Sequence, residues 1–250
     1  MIGATFKIAG WLALGGATLA GLYWLFLNTP ESNALTLTAS SLLVLAISVG
    51  GAITVNGAVL LASGGGWGAS IRSALLGIPW FVVATIPVIA TWMVVSRGDA
   101  WIERHSGEIS AWFIAQLGWA DVTPLLRIEI WLSRWLRWVA IPIAALCLLA
   151  ALLHDGARAV AGVRWLRRAW HWRTLLVATI VFVALVALPW QLTMWRPALP
   201  ATWVQPTVAG LRLAAVVVIG LIGCALLVTV AIPVTPTSTS GGIKGPPPAV

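Results

Sequence analysis

Glu103, His105 and Glu108 form the tightest gathering of titratable side chains in the chain. On a helix, His105 and Glu108 stand three residues apart, near enough to share a metal ion or a proton. Arg104 stands among them, Gly107 weakens a helix there, and no fourth ligand is evident. A solvated polar face is the commoner origin of such a group, and Glu103 can equally pair with Arg104 as a surface ion pair of little energetic weight. His154 and His171 flank a basic segment. Paired imidazoles at membrane depth can ligate haem iron, although polar residues at an interface are the plainer explanation. Cys147 and Cys224 each lie in an apolar run without a CxxC partner, the usual place of a small hydrophobe. The sequence therefore predicts no catalytic residue, no bound metal and no cofactor.

The elements that would position these residues are membrane helices. Hydrophobic residues make up 60% of the 250 and charged residues only 9%, with a mean hydropathy of +0.97. A soluble domain carries about 25% charged residues to wet its surface. Here apolar runs of about 20 residues recur, the length needed to cross a bilayer. The predicted fold is all-α, a polytopic bundle of about six spans at 8–27, 35–62, 74–96, 138–153, 174–195 and 208–232. Small residues at Ala17 to Ala20 imitate a cleavage site, but hydrophobicity continues to Leu27, which favours an uncleaved anchor. The Pro, Thr, Ser and Gly tail at 234–250 reads as disordered.

Between the third and fourth spans lies the longest polar stretch. It predicts two amphipathic helices, about 101–117 and 124–137, capping the bundle in the outer interface. Thr123-Pro124 resembles a helix start, and one helix can run from Pro124 to Leu153 with a kink at Pro142. Over Leu125 to Trp138 a helical wheel sets Ile128, Trp131, Leu132, Trp135 and Leu136 on one side. Arg127, Glu129, Ser133, Arg134 and Arg137 take the other. The apolar side suits a lipid surface or a docked partner.

The net charge of +8 sits at the ends of the apolar runs. That is the pattern of membrane topology, and it points to anionic lipid headgroups and away from nucleic acid. One side holds Lys7, Arg72, Arg158, Arg164, Arg167, Arg168, Arg173 and Lys244 against the single acid Asp155, which predicts that side, with both termini, to be cytoplasmic. Of 17 tryptophans, Trp24, Trp92, Trp190 and Trp195 mark the outer interface and Trp11, Trp67 and Trp172 the inner one.

Ala13, Ala17 and Gly21, and likewise Ser48, Ala52 and Asn56, recur every four residues and predict close helix packing, within the bundle or between subunits. Arg72–Trp101 and Arg168–Trp203 echo one another faintly, as a duplicated unit would. No carboxylate lies inside a span, which counts against a proton-coupled transporter. The expected function is non-enzymatic: an accessory, scaffolding or assembly subunit among other membrane proteins of a bacterial-type inner membrane. A transport component would need a polar path through Asn56, Thr85 and Gln191. A membrane enzyme or haem subunit would need the histidine groups to converge.

Overall fold

In hydrocarbon no water is present to satisfy backbone N–H and C=O groups, so an apolar chain crosses as helix. The computed structural model describes residues 2–30, 32–118, 122–162, 164–187, 191 and 204–232. The chain is an all-α polytopic membrane protein. Five helices are long and apolar enough to span: Gly3–Leu27, Ala34–Ala62, Ile78–Leu117, Thr123–Asp155 and Pro206–Ala231. A shorter apolar helix, Trp172–Leu185, occupies the predicted fifth run. Trp190, Trp195, the second copy of the echo beyond Gln191, and the tail at 234–250 lie outside the described residues.

Helix α1 (Ile2–Leu27) packs along α2 (Ala34–Ala62). The start of α2 is fixed by a capping box. Asn33 Oδ1 accepts the Thr36 N–H at 2.9 Å, and Thr36 Oγ1 accepts the Asn33 N–H at 3.2 Å. A short helix, α3 (Trp67–Leu76), then turns at Gly77 into α4 (Ile78–Leu117). A Cβ at Gly77 would stand 2.5 Å from the Leu153 side-chain end and 3.1 Å from the Asn56 amide, so a larger residue there would displace Leu153. Pro79 lies in the first turn of α4, where its missing N–H costs nothing.

Two elements of the expected cap differ from expectation. The segment 101–117 is not a separate interfacial helix but the unbroken continuation of α4, because nothing after Arg97 stops the helix before Gly118 turns left-handed at φ 66°. Forty residues extend about 60 Å, twice the hydrocarbon thickness of about 30 Å. On the other arm, α5 (Thr123–Trp135) joins α6 (Ile141–Asp155) through a π-helical turn at Leu136–Ala140. Ile141 N–H donates to the Leu136 carbonyl there, widening the helix just before Pro142. Pro142 would otherwise crowd the carbonyl four residues back, and the wide turn absorbs it. Arms α4 and α5–α6 thus form a hairpin that stands out from the bundle.

At the opposite, arginine-rich end, α7 (Arg158–Ala161) and α8 (Arg164–Ala169) fold back onto α6 before α9 (Trp172–Phe182) and α10 (Val204–Ala231) complete the bundle. The core concentrates at this end: Ile8, Val59, Leu61, Leu152, Ala169, Val228 and Ala231 are all buried. Near the hairpin end Leu14, Trp24, Leu35, Leu42 and Leu213 are exposed, the surface a bilayer would cover.

Between α1 and α2 the close-approach residues are not those the stripe on α1 predicted. Ala13, Ala17 and Gly21 are exposed, and a Cβ at Gly21 would meet nothing. The contact runs instead through Ile8, Trp11, Gly15 and Leu19, one face of α1 rotated from that stripe. Cβ atoms at Gly15 and Gly57 would collide with Thr54 at 2.5 Å and Trp11 at 2.2 Å. On α2, Ala52 and Asn56 are buried as a packing stripe requires, while Ser48 is exposed and bonds back to the Val44 carbonyl. Trp11 is a core residue at 7% exposure, and its Nε1 donates to the Thr54 carbonyl at 2.8 Å, so it is not part of an interfacial belt.

Candidate functional site

Glu129, Ser133 and Arg137 recur every four residues, so a helix lines them up on one face. That face turns toward α4. Ser133 Oγ donates to Asp99 Oδ2 at 2.7 Å, and the Arg137 guanidinium pairs with the same oxygen. Arg137 also sits over the Trp92 ring, 5.7 Å from its centroid, and Trp92 meets Trp138 edge-on. A cavity of about 320 Å³ opens beside this pair, lined by Glu103, Ser106, Glu129 and Arg134 among others. Desolvation, followed by the neighbouring Asp99 carboxylate and the hydrogen bond to it, pushes the Glu129 carboxyl above its ordinary range, while Arg137 pulls the other way. Asp99 and Glu129 therefore form a carboxyl pair steadied by one arginine, at the root of the hairpin.

Pointing the polar stripe inward leaves the apolar side of α5 outward. Ile128, Trp131 and Leu132 are exposed, Trp131 at 69%. Trp135, from the same predicted apolar side, is partly buried and donates from Nε1 to Thr179 Oγ1 of α9 at 2.8 Å. On the other arm Trp101, Trp112, Ile114 and Leu117 are exposed as well. Helices α4 and α5 make few direct contacts with each other.

Of the expected chemical groups, Glu103, His105 and Glu108 all lie on the outer part of α4 but do not converge. His105 stacks on Trp101, with centroids 4.6 Å apart, and its Nδ1 lies 2.8 Å from the Trp101 carbonyl. Glu103 faces the hairpin cavity and Glu108 is exposed. Among the described residues no three His, Cys, Asp or Glu side chains gather as metal ligands would. His154 Nε2 is 3.0 Å from Ser63 Oγ, at the mouth of a recess on the basic end. His171 precedes α9, exposed, with its ring alongside Trp172, and it does not line that recess.

Asn56, Thr85 and Gln191 make no common path. Asn56 is fully buried with Nδ2 donating to the Ala74 carbonyl at 3.0 Å, which ties α2 to α3. Thr85 bonds back to the Phe81 carbonyl within α4, and Gln191 is exposed. In the basic segment Arg158, Arg164, Arg167, Arg168 and Arg173 are all exposed. Asp99, Glu129, Ser133 and Arg137 form the constellation that the sequence reading passed over; its signal was the four-residue spacing on α5. No protein-family model, curated protein or solved structure matches the chain.

Proposed function

We propose that the chain is a non-enzymatic membrane subunit that scaffolds or assembles a larger complex. We place it in a bacterial-type inner membrane, with both termini in the cytoplasm and the hairpin outside. The inverted polarity of α5 carries this reading. A helix that spends its polar face on an internal ion pair and presents Ile128, Trp131 and Leu132 outward needs an apolar covering. Beyond the hydrocarbon, lipid does not supply one for the far end of a 40-residue helix. Another membrane protein of the complex does, by laying an apolar helix along the hairpin. The arginine excess on the opposite side supports the orientation.

The test is photocrosslinking in the native membrane with a benzophenone amino acid at Trp112 or Trp131. A lipid-facing position, Leu45, serves as the control. The expected product is a single second polypeptide, joined from both hairpin positions and absent from the control. Lipid adducts alone at Trp112 and Trp131 would refute the scaffold reading and leave a hairpin that lies on the membrane surface.

A further inference from the structure

The basic end carries a second feature, independent of the hairpin and of any protein partner. Two adjoining recesses of about 320 and 650 Å³ open between α6, α7 and α8. His154, Asp155, Arg164 and Trp165 line both. Arg168 completes the inner recess and Arg158 the outer one. Arg164 and Arg168 lie four residues apart, so α8 presents them from one face. That helix is pinned by Ala169, which is 2% exposed, so the arginines are held at the bundle and do not hang from a loose loop.

The charge there is unbalanced. Among the described residues no carboxylate pairs with Arg158, Arg164 or Arg168, and Asp155 is the only acid at either recess. Arg168 is exposed on its outer side but partly desolvated at the recess, which lowers its guanidinium from the ordinary value. The floor of the inner recess is apolar, made by Cys147, Ala150, Ala231 and Ile232. A guanidinium fork above an apolar floor matches a phosphate ester whose hydrocarbon lies below it.

We infer that the recess between α6 and α8 is a binding site for one phosphate ester anion, held by Arg164 and Arg168 with His154 at its edge. The anion comes either from an anionic phospholipid headgroup or from free phosphate in solution. Diffuse attraction of a basic loop to the membrane is a different situation, since it has no fixed stoichiometry.

Native mass spectrometry of the full delipidated chain in detergent separates these cases. The probes are dioleoylphosphatidylglycerol and dioleoylphosphatidylcholine, titrated in parallel. The wild-type chain is expected to take one phosphatidylglycerol with about tenfold or greater preference over phosphatidylcholine. Arg164→Gln with Arg168→Gln should abolish that preference, whereas the charge-matched outer pair Arg104→Gln with Arg127→Gln should keep it. Displacement of the lipid by millimolar inorganic phosphate would assign the site to the phosphate group alone. Resistance to displacement would assign it to the whole lipid. Equal binding of the two lipids by the wild-type chain would overturn the site without recourse to any variant. An equal loss in the outer control would reduce it to net charge.

Discussion

Asp99 on α4 receives Arg137 from the opposite arm of the hairpin, and the Ser133 hydroxyl one turn away reaches the same carboxylate oxygen. The two charged side chains are 31% and 25% exposed, so water screens part of their attraction but not all of it. Together these contacts form a clasp that joins the two arms of the hairpin. A double-mutant cycle with Asp99→Asn and Arg137→Gln, read from thermal unfolding in detergent, should return a coupling of about 1 kcal/mol. Additivity of the two changes would mean that the clasp contributes nothing to stability.

Glu129 makes the same region sensitive to pH. Its carboxyl is raised by desolvation and then by Asp99, so the folded chain holds that proton more tightly than the unfolded chain does. The associated stability is fully present below the unfolded value and is lost as pH rises through the folded one. Between those two values, in the acid range above the ordinary carboxyl pKa, stability should decline as pH rises. Glu129→Gln should flatten that slope, and unfolding midpoints across the window would show it. A slope unchanged by the substitution would assign the effect to another carboxyl.

Close approach of α1 and α2 depends on Gly57. A Cβ there would overlap the Trp11 ring at 2.2 Å, and Trp11 is held by its bond to the Thr54 carbonyl. Gly57→Ala should cost about 1–3 kcal/mol by overpacking, despite the higher helix propensity of alanine. Gly21→Ala, where a Cβ meets nothing, should be neutral or slightly stabilising. Thermal unfolding of the two variants side by side provides the comparison.

Trp135 links the hairpin root to α9 through Thr179. Trp135→Phe keeps most of the ring but removes the indole donor, leaving the Thr179 hydroxyl with its own bond to the Leu175 carbonyl. A loss of about 1 kcal/mol is expected. Trp131→Phe, at an exposed position on the same helix, should stay within about 0.5 kcal/mol.

The all-α, multi-span character was legible because apolar runs with polar ends are written locally, although among the described residues five helices, not six, are long enough to span and the fifth run forms a shorter one. Which face of each helix looks inward was less so. Ala13, Ala17 and Gly21 have the spacing of a packing stripe, yet Gly15 and Trp11 make the contact, since the choice depends on the bulk of Thr54 across the interface and on the space Gly50 leaves there for Leu19. For α5 the usual rule, apolar side inward, fails because the nearest neighbour offers Asp99 as a partner for Ser133 and Arg137. Asp99 lies 34 residues before Ser133, a pairing that no local pattern encodes. The extent of α4 was underestimated for a related reason. Charged residues after Arg97 read as the end of a span, but they end only the apolar composition and not the helix.

The π-helical turn at Leu136–Ala140 has one more residue than the α-helical turn it replaces. It therefore sets the angular phase of the outer arm relative to the buried face of α6. Removing one residue from it would rotate Glu129 and Ser133 by about 100° about the helix axis and carry both away from Asp99. The core residues Ile143, Cys147 and Leu152 would keep their places. The turn acts as a vernier: the inner face of this helix answers to the bundle and its outer face to the hairpin, and a single surplus residue keeps the two in step.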